Sequence, residues 1–127
     1  QAGIGRGYYT ESEFEKLMSW VRNCFKSNES PVHDVYFSPF HPKSGVGKYK
    51  KDSNLRKPNP GMILKAEKDH NIDLSESIMI GDKISDIQAG VAAGIKKNIL
   101  FDPSNKDAME NSYIIYINNL KDAISYL

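Results

Sequence analysis

The chain has 127 residues, 39% hydrophobic and 26% charged, the proportions of one ordinary globular domain. Seventeen Lys and Arg against sixteen Asp and Glu leave a formal net charge of +1. That excludes whole-molecule attraction to nucleic acid or an anionic membrane surface, so anion binding must come from a local cluster.

In chain order, the sequence opens on QAGIGRGYYT, a glycine-rich loop carrying Arg6. The N–H groups of such a loop can cradle phosphate oxygens. It is no P-loop, because no Gly-Lys-Ser/Thr follows, and its glycines have the wrong spacing for a dinucleotide fingerprint. A loop of this kind normally follows an element that delivers it, so an upstream piece is expected. TESEFEKLMSWVRNCF predicts an amphipathic helix over 10–25. Thr10 and Glu13 have capping-box spacing, and Phe14, Leu17, Met18, Val21 and Phe25 follow at helical spacing. HDVYFS, 33–38, predicts a short strand stopped by Pro39.

Residues 38–59 read as a long polar loop, the kind that is often functional. Asn59 is expected to cap a helix with Pro60 at its first position, its inner face formed by Met62, Ile63, Ala66 and His70. SIMIGD, 77–82, predicts a fully buried strand. SDIQAGVAAG predicts a small-residue helix closed by Gly94. KKNILF, 96–101, and YIIYI, 113–117, predict two more strands, with Asn118 or Asn119 capping a last short helix to Leu127. This alternation predicts an α/β, Rossmann-like, mainly parallel sheet with helices on both faces in a single domain over 1–127. Ligands of such sheets sit beyond the carboxyl ends of the strands.

The one cysteine, Cys24, can form neither an internal disulfide nor a thiolate metal site. It reads as a buried apolar thiol in a reducing compartment. No apolar run approaches the roughly 20 residues of a membrane span. A cytoplasmic protein is therefore expected. His33, His41 and His70 are too scattered for a His-based metal site.

Two segments could carry chemistry. In GDKISD, Gly81 lets the backbone turn where the strand stops and Asp82 is presented at its end, with Asp86 in the first turn of the next helix. One such carboxylate, helped by others, suits magnesium. The competing reading is that Asp82 only caps the helix and Asp86 favours its N-terminal dipole. In LRKPNPG, Arg56 offers a planar fork and Lys57 a compact charge. Flanking prolines would hold Lys57 at the rim in advance of a reaction. The competing reading is a solvated basic loop, in keeping with KYKK at 48–51.

Taken together, QAGIGRG, SPFHP, RKPNPGM and GDKISDIQAG resemble haloacid dehalogenase-superfamily phosphatases across nearly the whole chain. The resemblance is to the heptose 1,7-bisphosphate phosphatases and the related histidinol-phosphate phosphatases in particular. It implies a magnesium-dependent phosphomonoester hydrolase acting on a small sugar phosphate, D-glycero-D-manno-heptose 1,7-bisphosphate, in surface-sugar synthesis. An attacking aspartate would form an aspartyl-phosphate, and a second aspartate two residues later would serve as acid and then base. By the resemblance, Asp82 is the magnesium ligand and Lys57 the catalytic lysine that stabilises the transferring phosphoryl group. Arg56 and Lys83 touch substrate, and Gln1, Ala2 and Gly3 belong to the substrate loop. Arg6 and Asp86 are further candidates. The implied partner is a small molecule and not nucleic acid or a membrane, and the implied protein is a monomer.

Two departures stand out. The implied Asp-x-Asp-Gly segment on the first strand, with nucleophile and acid, is not among these residues. The expectation is an N-terminally incomplete domain, inactive by itself. Many heptose bisphosphate phosphatases also bind a structural zinc through Cys-x-His and Cys-x-Cys. The matching positions here are Ser38, Phe40, Ser53 and Leu55, so no structural zinc is expected and the long loop must be held by packing. Alternatives are a polynucleotide 3′-phosphatase of the same superfamily, whose GIGRG loop is shared and whose backbone KYKK could track, and a non-catalytic phosphate-binding domain. A phospho-acceptor receiver domain fits on topology alone.

Overall fold

The computed structural model describes residues 1–104 and 114–127, which form two compact units, Gln1–Ser53 and Asn54–Leu127.

In the first unit the glycine-rich opening is a single helical turn, α1 (Ala2–Gly5), with Ile4 and Gly5 buried. The long helix α2 spans Glu11–Ser27. Its start is the predicted capping box. The Glu13 N–H donates to Thr10 Oγ1 at 3.1 Å, and the Thr10 N–H donates to Glu13 Oε2 at 2.7 Å. Phe14 is 4% exposed, and its ring meets Phe37 at a centroid distance of 4.6 Å. Burying such a side chain stabilises by about 1.5–3 kcal/mol. Cys24 is half-buried.

HDVYFS is not a strand in the structure. Its residues have strand propensity, but a strand also needs a hydrogen-bonded neighbour, and none of the described residues pairs with it. The loop after Ser38 is irregular apart from a 3₁₀ turn, Gly47–Tyr49.

The second unit holds a three-stranded parallel sheet in the order β1 (Ile78–Gly81), β2 (Lys97–Phe101), β3 (Ile114–Ile117). The register pairs Ile80 with Ile99 and Leu100 with Tyr116. Tyr113, the predicted start of the last strand, lies outside the described residues. Helix α3 spans Gly61–His70 and α4 spans Ile84–Ala93. The expected last short helix is a seven-residue 3₁₀ helix, Leu120–Tyr126, and Asn119 caps it by accepting the Lys121 N–H at 3.0 Å.

Both sheet faces are covered. Ile99 packs with Ile117 and Ala123 on one face. On the other, the Asn98 side chain lies against α4, where a Cβ added at Gly90 would come within 2.2 Å of Asn98 Oδ1. Asn98 is 1% exposed, and its Nδ2 donates to Ile95 O at 2.7 Å.

Three details differ from expectation. Pro60 is the N-cap of α3 and not its first residue, and Asn59 instead closes a turn by donating to Arg56 O at 3.0 Å. His70 is exposed, outside the inner face of α3. Among the described residues β1 pairs only with β2, and its Ile80 is 42% exposed. Gly94 closes α4 as predicted, in the left-handed region at φ 92°, where glycine costs least.

Candidate active site

β1 ends at Gly81 and α4 starts at Ile84, so Asp82 and Lys83 occupy the tight connection at the carboxyl end of the strand. Asp82 is exposed there. Among the described residues its carboxylate accepts no hydrogen bond and forms no ion pair, so it is no helix cap. Asp86, on the first turn of α4, is 4% exposed. Its Oδ2 accepts the Lys83 N–H at 3.1 Å and its Oδ1 is ion-paired with the Lys57 ammonium. Oδ1 accepts no well-aligned hydrogen bond, so the attraction to Lys57 is carried by charge.

This packing depends on Gly81. A Cβ added there would lie 2.3 Å from Asp86 Cβ, so the aspartate folds back over bare backbone.

Lys57, Asp82 and Asp86 line one cavity of about 430 Å³. Apart from Asn59, its other walls are mainly apolar: Met62 and Ile63 of α3, Met79 of β1, Phe101 of β2 and Leu120. The Lys57–Pro58 peptide is cis. Lys57 keeps 46% of its side chain exposed, so its ammonium can meet both Asp86 and a ligand in the cavity.

The structure does not gather every candidate here. Lys83 is exposed beside the cavity and contributes its backbone N–H to Asp86. Arg56 is half-buried and does not line the cavity. Gln1, Ala2, Gly3 and Arg6 belong to the first unit. There Gln1 Oε1 accepts the Tyr9 hydroxyl at 2.6 Å and Arg6 is exposed. Sequence reasoning missed the apolar lining, since Phe101 and Leu120 reach it from separate elements.

Among the described residues no cluster of three or more His, Cys, Asp or Glu could hold a metal by itself. Asp82 is the uncommitted hard-oxygen donor at the cavity. One protein carboxylate completed by phosphate oxygens, water and a second carboxylate is a magnesium environment, so the residues present fit one side of such a site. None of the helices among the described residues is long and apolar enough to cross a membrane.

A family model described as HAD-hydrolase-like matches residues 54–112. Over all 127 residues the chain is 44% identical to the D-glycero-alpha-D-manno-heptose-1,7-bisphosphate 7-phosphatase of Burkholderia mallei, of which it covers 67%. It is 36% identical over 125 residues to the D-glycero-beta-D-manno-heptose-1,7-bisphosphate 7-phosphatase of Escherichia coli K12, covering 96% of this chain and 65% of that protein. The chain therefore spans about two thirds of these relatives' lengths, and 54% of the Haemophilus influenzae relative.

Among solved structures, a Mesorhizobium loti protein assigned as a HAD-like phosphatase superposes with a TM-score of 0.84 at 31% identity. That match covers 98% of this chain and 59% of the other. The D,D-heptose 1,7-bisphosphate phosphatase of B. bronchiseptica, solved with magnesium and phosphate, superposes at 0.79 and 18% identity over 100% of this chain and 72% of the other, a likeness of fold. The chain belongs to the haloacid dehalogenase-like hydrolase family and is related to its heptose 1,7-bisphosphate phosphatases.

Proposed function

We propose that this chain carries the charge-stabilising half of a magnesium-dependent phosphatase site for D-glycero-D-manno-heptose 1,7-bisphosphate. The observation that carries the reading is the single cavity shared by Lys57, Asp82 and Asp86 at the rim of a parallel sheet. The relatives' names supply the substrate.

Each residue has a distinct part. Lys57 donates its ammonium to an equatorial phosphoryl oxygen, where a fixed charge acts on the charge that develops as the bond to the leaving oxygen breaks. Asp86 keeps that ammonium aimed into the cavity. Asp82 would hold magnesium, which when bound supplies neutralisation of the phosphoryl oxygens. Arg56 and Lys83 bind the sugar phosphate beside it, and the Gln1–Gly3 segment with Arg6 contributes to substrate recognition. The attacking carboxylate and the acid implied by the resemblance belong to an Asp-x-Asp-Gly segment that these 127 residues do not contain.

The test is phosphate release from heptose 1,7-bisphosphate by the intact natural protein, with and without magnesium. Asp82→Asn is expected to remove the magnesium-dependent rate. Lys57→Ala is expected to lower kcat by on the order of a hundredfold. Near-parental turnover by Asp82→Asn would overturn the metal assignment. A change in KM alone for Lys57→Ala would make that residue a binder.

A further inference from the structure

The long loop after Ser38 has no thiolate to anchor it, and the structure shows what does. We propose that Tyr49 is a positioning residue that locks the 38–51 loop and, through it, fixes the shape of the Gln1–Gly7 turn for substrate. The substrate half of this rests on the function proposed above; the coupling of loop to turn does not.

Tyr49 is a hub for its own loop. Its carbonyl accepts the N–H of His41 at 3.1 Å and of Lys51 at 3.0 Å, and its N–H donates to Val46 O at 3.1 Å. Its hydroxyl donates to the Glu11 carboxylate in the first turn of α2. Its ring lies 6.3 Å from that of Phe40, centroid to centroid. The Lys48 ammonium sits 4.8 Å from the Tyr49 ring centre, and Lys51 sits 4.5 Å from that of Phe40. Two cations of KYKK are therefore spent on aromatic faces. They are contacts within the loop.

The loop in turn grips α1. The Val46 N–H donates to Gly5 O at 2.8 Å. A Cβ added at Gly5 would lie 2.0 Å from Pro39 O and 3.2 Å from Tyr49 Cβ, so both ends of the loop press on bare backbone. Gly45 closes the ring in the same way: a Cβ there would lie 2.4 Å from Tyr49 O and 2.7 Å from His41 O. A change at Tyr49 thus has a short path to the turn that carries Gln1, Ala2, Gly3 and Arg6.

Limited trypsin digestion tests the coupling, because Arg6 on the turn and Lys50 on the loop are both exposed and cleavage tracks local opening. The intact natural protein is compared as parent, Tyr49→Phe and Tyr49→Leu, with sites mapped by mass. Tyr49→Leu should raise cleavage after both Lys50 and Arg6 by on the order of tenfold, while cleavage after Lys65 in α3 stays at the parental rate. Tyr49→Phe keeps the ring and loses the Glu11 bond, and should give about a threefold rise at both sites. A rise at Lys50 with Arg6 unchanged would refute the coupling. Should Tyr49→Leu unfold and be cut everywhere, Tyr49→Phe decides alone, and parental cleavage at Arg6 refutes it.

In the intact natural protein, KM for heptose 1,7-bisphosphate should rise by on the order of tenfold in Tyr49→Leu with kcat within about twofold. An unchanged KM overturns the substrate half only. A parent that does not hydrolyse the bisphosphate overturns the proposed function and that half with it, and leaves the digestion result standing.

Discussion

Replacing Asp86 separates the two tasks of its carboxylate. Asp86→Asn keeps an oxygen for the Lys83 N–H, now 3.1 Å from Oδ2, and removes the charge that faces Lys57. Asp86→Ala removes both. Breaking a fully buried ion pair costs about 3–5 kcal/mol because the abandoned charge stays dry. An exposed pair contributes only about 0–1 kcal/mol. Here the carboxylate side chain is 5% exposed and the lysine 46%, so the ammonium can rehydrate once its partner is gone. The expected loss for Asp86→Asn is therefore intermediate, about 1–2 kcal/mol. For a cooperative unit of 127 residues that is a fall of about 4–8 °C in Tm. Asp86→Ala adds an unpaired N–H, but Lys83 is exposed and water can reach it, so the increment is at the low end of the range, about 1 kcal/mol. Urea unfolding followed by circular dichroism measures all three proteins. Asp86→Asn with the parental midpoint would show that the pair contributes nothing to folding. Equal midpoints for the two variants would show that the Lys83 hydrogen bond is idle. Because Lys57 is half exposed, 1 M salt should narrow the gap between parent and Asp86→Asn.

Gly81→Ala should damage the same site from the other side. The new methyl would lie 2.3 Å from Asp86 Cβ, and the expected loss is about 1–3 kcal/mol; parental stability by urea titration would refute the close packing. The capping box gives a pH prediction. The backbone N–H and then the hydroxyl of Thr10 hold the Glu13 carboxyl below its usual 4.5. A depressed folded-state value means the stabilisation is present above the unfolded pKa and lost as pH falls through the folded one. The urea-midpoint gap between parent and Glu13→Gln should therefore be full at neutral pH and close below pH 4.5, and a gap that stays constant into strong acid would refute it.

What was legible in the sequence was what neighbouring residues decide among themselves. The capping box and apolar spacing gave α2, Gly94 gave the end of α4, and the β-branched runs gave β2 and the described part of β3. HDVYFS has equal strand propensity but no paired neighbour among the described residues, and pairing is not written in six residues. SIMIGD was legible as a strand, but its burial depends on what flanks it: among the described residues β1 pairs only with β2, and Ile80 is 42% exposed. Tyr49 was hidden for a related reason. In KYKK the eye counts charge, while the structure places two of its three lysines, Lys48 and Lys51, against rings.

The candidate site shows the same division in miniature. GDKISD read as two acidic residues of undecided roles, cap or ligand. Geometry separates them. Asp86 lies on the third residue of α4, where its carboxylate can turn back to the Lys83 N–H and over Gly81, and that fold is open only because position 81 has no side chain. Once Asp86 is bound there, it is within reach of Lys57 and is neutralised by it. Asp82, one residue past the strand end, has no such partner among the described residues and is the residue proposed to hold magnesium. A glycine thus decides which aspartate folds back on the protein and which stays exposed at the strand end.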